Sequence, residues 1–211
     1  PCPVLVYSSS KVQNEKDIKY SNKNYVILRL GSVYGYSSTD TMRINIMPNL
    51  FSKIASQNGV INLFSGGKQL KSLVPLIDVV RCMKFMAENE AINKETFNLV
   101  KESVTVREVA EICKKYNPKA IIKTTKDETP NLGYTLSNKK LLATGFKFFY
   151  NLEESISTMI KQWLYKQNDY DLEYKTRGEK EFVDRRGKIS NYELTEPINL
   201  IGYIESACGS M

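Results

Sequence analysis

Histidine is absent from this chain of 211 residues, which removes the commonest metal ligand, the usual general base and any Ser-His or Cys-His nucleophile pair. Proton chemistry must come from Tyr, Lys, Asp, Glu or Cys. Cysteine is sparse: Cys2, Cys82, Cys113 and Cys208 are scattered and form no C-x-x-C pair. Neither a zinc ribbon nor a disulfide framework is expected, and no metal site. No apolar run approaches the roughly 18 residues of a membrane span, and the N-terminus lacks the basic-then-apolar order of a signal peptide. The expected location is the cytoplasm, with no membrane partner. Long blocks of one charge are missing too. The net charge is +7, but lysines alternate with acids throughout, so solvated faces and at most a modest basic groove for an anionic ligand are expected, without a nucleic-acid partner. The chain also contains no G-x-x-G-x-x-G loop to cradle a dinucleotide pyrophosphate.

What is present is an ordinary globular composition, 42% hydrophobic and 25% charged, long enough for one domain and part of another. Residues 7–20 carry few breakers and predict a helix, followed by the polar turn "SNKN" and the β-rich run "YVILRL". After the loop "GSVYGYSSTD", the stretch "NIMPNLFSKIASQ" predicts a helix, "VINLF" a strand, "SGGKQ" a turn and "SLVPLI" a strand. Asp78 opens the helical "VVRCMKFMAEN", and "TFNLV" is extended. Thr105 with Glu108 spells a capping box ahead of "VREVAEICKKY", and Asn151 with Glu154 offers a similar start for "LEESISTMIKQWLYKQ". This alternation predicts an α/β protein, a parallel or mixed sheet covered by helices, with ligands near the carboxyl ends of the strands. Composition shifts at residues 167–180, expected to be a linker. Residues 181–211 read as short strands with turns at Asp184 to Gly187 and Glu196-Pro197.

The chemistry-bearing feature is "YSSSK". Residues i and i+4 share a helix face, so Tyr7 and Lys11 present a phenol beside an ammonium. A positive charge nearby favours the phenolate, which is a usable base for an alcohol proton. On its own, the pair reads better as a surface tyrosine lying on a lysine stem.

Further motifs follow in order: "YSSSKVQNE", "LRLGSVYG", "SGGKQLKSLVPLIDVV", "FNLV", "SVTVREVAEI" and "NKKLLATGFKFFYNLEESISTMIKQW". With them residues 1–166 resemble the C-terminal portion of the extended short-chain dehydrogenase/reductase family, the NAD-dependent nucleotide-sugar epimerases and dehydratases. The resemblance implies the C-terminal part of a Rossmann-like parallel sheet with a substrate-binding lobe, and NAD or NADP as cofactor. It implies Tyr7 as the catalytic acid/base, with Lys11 holding the nicotinamide ribose and favouring the tyrosinate. Arg29, Ser32 and Lys71 become substrate-binding residues, Ser32 where the family often has asparagine and Lys71 where it often has arginine; Arg29 reads equally as a structural ion pair and Lys71 as a plain solvent-exposed side chain. It further implies a nucleotide-sugar substrate, a role in polysaccharide or deoxysugar synthesis, and a homodimer.

A glycine-rich loop belongs upstream of the tyrosine in such proteins, so this sequence reads as a fragment lacking the cofactor half, inactive alone. The tail "FVDRRGKISNYELTEPINLIGYIESACGSM" is similar to the start of the cupin-like domain of sugar 3,5-epimerase-type proteins, entered before any histidine motif. The alternative function is a non-catalytic sugar-nucleotide-binding lobe or pseudoenzyme fragment.

Overall fold

The computed structural model describes residues 5–37, 43–126, 133–169, 176–184, 187–194 and 201–206. It divides into two compact units, Pro1–Gly35 with Ile44–Trp163, and Tyr36–Arg43 with Leu164–Met211.

In the first unit, helix α1 (Val6–Tyr20) leads into strand β1 (Val26–Leu30) and, past Gly31, into β2 (Ser32–Tyr34). Helix α2 (Met47–Ser56), β3 (Val60–Leu63), a 3-10 turn at Phe64–Gly67, β4 (Leu70–Pro75) and α3 (Leu76–Glu88) follow. Then come β5 (Glu95–Leu99), β6 (Glu102–Thr105), α4 (Val106–Tyr116), β7 (Ile121–Thr124), α5 (Lys139–Leu142) and α6 (Leu152–Asp169), whose residues from Leu164 on belong to the second unit.

β1 pairs in parallel with β5, Val26 opposite Glu95 through Leu30 opposite Leu99. β2 pairs in parallel with β4, which is antiparallel to β6 on its other side. β3 and β7 form a third, parallel ladder. The expected α/β class with parallel sheets is therefore what the chain adopts. Three local differences stand against the expectation. β2 occupies three residues of the stretch read as a loop, Leu76 and Ile77 begin α3 rather than ending the strand, and β6 and β7 were not anticipated.

Gly31 makes the handover between ladders. Its N–H donates to the Leu99 carbonyl at 3.1 Å, and a Cβ there would lie 2.6 Å from the Ser72 carbonyl oxygen, so the close approach of this linking residue to β4 requires glycine. The main core packs the sheet against one face of α3, where Val79, Cys82 and Met86 recur at helical spacing. They meet Val74, Phe97, Leu99, Leu141 and Phe146, with Leu28 and Phe148 at the margin. Burying each of the larger side chains contributes about 1.5–3 kcal/mol. The opposite flank of α3 leaves Val80 and Met83 exposed.

α4 starts as its sequence predicts. Thr105 Oγ1 accepts from the Glu108 N–H at 3.2 Å while the Glu108 carboxylate accepts from the Thr105 N–H at 2.6 Å, a complete capping box. Asn151 makes one half of that arrangement at α6, its Oδ1 accepting the Glu154 N–H at 2.8 Å. In the second unit β8 (Thr176–Asp184), β9 (Gly187–Leu194) and β10 (Ile201–Ser206) form an antiparallel sheet in the order β10-β9-β8, with Asp184 opposite Gly187. α6 and β8 thus reach into both ends of the stretch read as a linker.

Candidate active site

The geometry starts on α1. Its sequence holds no Pro or Gly, and Lys19 in the last turn complements the helix dipole, yet no apolar stripe is present and none of its residues is buried. Tyr7 is 72% exposed. Lys11 is exposed beside it, its Nζ 5.4 Å from the centre of the Tyr7 ring, so the one-turn spacing does bring ammonium and phenol together. The Tyr7 hydroxyl and the Lys11 amine thus share one solvent-facing surface, where both can meet hydroxyl groups of a ligand.

Arg29, in β1, reaches back to α1. Its Nε donates to Glu15 Oε1 at 2.8 Å and its Nη2 to Glu15 Oε2 at 2.6 Å, a two-pronged fork. These bonds hold the Glu15 carboxyl below the usual carboxylate range and raise the Arg29 guanidinium. Ser32, exposed at the start of β2, stands opposite Leu73 in the ladder, two residues from the exposed Lys71 of β4. Ser32 and Lys71 are diagonal neighbours on adjacent strands, whereas Tyr7 and Lys11 lie on a separate element.

Tyr34, two residues beyond Ser32, has the opposite character to Tyr7. It is 1% exposed, and burial, aided by the charges of Glu102 and Asp78, pushes its phenol above the ordinary value, so it is a neutral core residue. Gly35 after it is fixed by Asn49, whose Oδ1 accepts the Gly35 N–H at 3.0 Å.

The glycines of "SGGKQ" do not form a phosphate cradle. Ser65, Gly66 and Gly67 take φ values of 47°, 72° and 72°, and a Cβ on Gly67 would lie 2.9 Å from the Arg107 backbone nitrogen. Arg107 closes the turn further, its Nε donating to the Gly66 carbonyl at 2.9 Å. This turn packs on the head of α4 and offers no seat for a dinucleotide pyrophosphate.

Two open grooves of about 840 Å³ each lie elsewhere, one along β1 and α3 past Leu28, Met83 and Asn93, the other at the head of α4 past Thr105, Tyr116 and Glu153. Neither includes Tyr7, Lys11, Arg29, Ser32 or Lys71. Among the described residues no group of three or more His, Cys, Asp or Glu is arranged to hold a metal ion. No described helix is long and apolar enough to cross a membrane. Sequence reasoning left the partner of Arg29 unnamed; the structure shows it to be Glu15, on the Tyr7–Lys11 face of α1.

The first 99 residues match the model of the NAD dependent epimerase/dehydratase family. Among solved structures, the UDP-glucose 4-epimerase of Thermotoga maritima with UDP-glucose is similar at 18% identity and a TM-score of 0.65, over 80% of this chain and 55% of its own. The UDP-glucose 4-epimerase of Thermus thermophilus with NAD gives 20% and 0.65, over 77% and 55%. The UDP-N-acetylglucosamine 4-epimerase of Methanobrevibacter ruminantium, in complex with UDP-N-acetylmuramic acid, gives 20% and 0.67, over 79% and 55%. The chain thus spans little more than half the length of these enzymes. It matches the epimerase/dehydratase family model over residues 1–99 and shares the α/β fold of the nucleotide-sugar epimerases over about four fifths of its length.

Proposed function

We propose that this chain is the C-terminal, catalytic and substrate-binding portion of an NAD(P)-dependent nucleotide-sugar epimerase, dehydratase or reductase. The observation that carries the reading is the exposed Tyr7–Lys11 pair on the helix that enters the parallel sheet, within the stretch matched by the family model. Tyr7 exchanges a proton between its phenol oxygen and a sugar hydroxyl. Lys11, beside the Tyr7 ring, binds the ribose of the coenzyme. A nicotinamide coenzyme held there would supply hydride chemistry at the sugar carbon. Ser32 and Lys71 are the proposed contacts to the substrate, with Lys71 offering a point charge where a guanidinium would grip phosphate in two places, while the Arg29 fork, expected to be a third contact, is spent on Glu15.

The reading includes incompleteness. It is supported by the lack of a glycine-rich loop anywhere in the sequence, by β1 pairing only with β5 among the described residues, and by the 55% coverage of the solved enzymes. Residues 181–211 are proposed to open a cupin-like domain, which the antiparallel β8–β9–β10 sheet supports. Polysaccharide or deoxysugar synthesis, a cytoplasmic location and a homodimer complete the proposal.

The test is Tyr7→Phe in the protein that carries this chain together with a dinucleotide loop. Turnover should fall by about 100-fold or more, with cofactor binding nearly unchanged; retained turnover refutes the role. The missing loop favours a second reading for the chain by itself, a sugar-nucleotide-binding lobe without catalysis. Calorimetric titration of the 211 residues with NAD(H), NADP(H) and UDP-sugars separates the two, since a lone lobe binds the sugar nucleotide weakly and the dinucleotide not at all.

A further inference from the structure

α1 buries none of its residues, so apolar packing does not fix its rotation about its own axis. Among the described residues its other side-chain hydrogen bonds stay within the helix, Ser10 Oγ to the Tyr7 carbonyl and Gln13 to Asp17. The tie to the sheet is the Arg29 fork on Glu15. That pair is the better-buried part of the region: side-chain exposure is 19% for Glu15 and 38% for Arg29, against a Tyr7 that is 72% exposed.

Its position is informative. Glu15 follows Lys11 by four residues and Tyr7 by eight, so all three lie along one stripe of the helix. α1 ends at Tyr20 and the chain turns back into β1 at Val26, which runs the two elements in opposite directions. At 1.5 Å per residue Glu15 lies about 7.5 Å before the helix end, and at 3.3 Å per residue Arg29 lies about 10 Å into the strand, so the two are level. Tyr7 is about 12 Å further along the helix, whereas β1 has only Leu30 left after Arg29. The phenol therefore stands beyond the carboxyl end of β1, the side on which open α/β sheets receive ligands.

We infer that Glu15 and Arg29 form a positioning pair that sets the rotation and height of α1 and so aims Tyr7 and Lys11 at the reacting sugar; this rests on the acid/base reading of Tyr7. Arg29 thereby acts through Glu15, its two bonded N–H groups committed to the helix rather than to substrate. A lysine at position 29 keeps the charge but makes one bond where the guanidinium makes two, which leaves the helix free to roll about that contact.

Two measurements test it. The first is amide hydrogen exchange of residues 8–20 in the 211-residue chain carrying Glu15→Gln, Arg29→Gln, Arg29→Lys or the exchanged pair Glu15→Arg with Arg29→Glu. Exchange in α1 should quicken about tenfold in the Gln variants and less in Arg29→Lys, return toward the parent rate in the exchanged pair, and stay unchanged in α4. Unaltered α1 exchange overturns the anchor. The second is the split of kcat from KM in the full-length enzyme with a UDP-sugar. A kcat lowered about tenfold in Arg29→Gln, with KM within about twofold and recovery in the exchanged pair, is expected. A raised KM at constant kcat would make Arg29 a substrate contact and overturn the inference. Tyr7→Phe should lose turnover with parent-like exchange in α1; if it keeps turnover, the acid/base reading falls, while the exchange result still decides the anchor.

Discussion

The carboxylate of Asp78, fully buried on α3, accepts the backbone N–H of Phe149 at 3.2 Å to each oxygen, across 71 residues of sequence. It also accepts the Tyr150 N–H at 3.1 Å and an N–H of Arg81, whose guanidinium lies 3.7 Å above the Phe149 ring. One carboxylate thus closes the segment before α6 onto the core. Replacing it strands two part-buried backbone donors and removes the carboxylate partner of Arg81. Asp78→Ala should destabilise the chain by about 2–4 kcal/mol, read as a lowered urea midpoint with an unchanged m-value.

The α4 capping box gives a smaller, cleaner expectation. Thr105→Ala removes the acceptor for the Glu108 N–H and should cost about 1 kcal/mol, whereas Thr105→Ser keeps the oxygen and should be near neutral. Thermal unfolding of both variants under identical conditions checks the difference.

The thiols of Cys82 and Cys113 should resist modification in the native protein. Both are fully buried, and burial pushes Cys82 up to about 11, with Asp78 adding to it, and Cys113 up to about 12. The thiolate is the reactive form, so at neutral pH neither side chain presents a nucleophile. Mass-spectrometric mapping after iodoacetamide treatment should find both unlabelled until urea unfolds the chain. Labelling at the native rate of a free thiol would contradict the packing described for α3 and α4.

Acid should loosen α1 before it unfolds the core. The Arg29 hydrogen bonds lower the Glu15 carboxyl in the folded state, so its contribution is fully present above the unfolded carboxylate value and is lost as pH falls through the lower folded one. Amides of residues 8–20 should lose protection as pH drops through and below the usual carboxylate range. In Glu15→Gln that pH dependence should vanish, leaving α1 equally loose at neutral and acid pH.

Much of this architecture was legible in the residues. The breaker-free run before Tyr20, the β-rich "VILRL", and the Thr105–Glu108 and Asn151–Glu154 spacings each encode a local preference that tertiary packing did not override. β6 and β7 escaped because "ESVT" and "IIKT" are four residues long, too short for alternation to speak, and their pairing with β4 and β3 is long-range information. β2 escaped for the same reason, sitting among glycines that mark a turn. Of the site, the meeting of Tyr7 and Lys11 follows from helix spacing alone. The partner of Arg29 does not, since nothing within β1 announces which element its guanidinium will reach. Nor could spacing distinguish the solvent-facing Tyr7 from the sealed Tyr34, because burial belongs to the assembled layers and not to the motif.

A helix that contributes nothing to the apolar interior answers to a different solvent variable from the rest of the molecule. Added sodium chloride screens the ionic latch in its C-terminal half, less than it would a fully exposed pair, while leaving the interior's cohesion intact. The placement of α1 on β1 is therefore the part of this fold that ionic strength can tune.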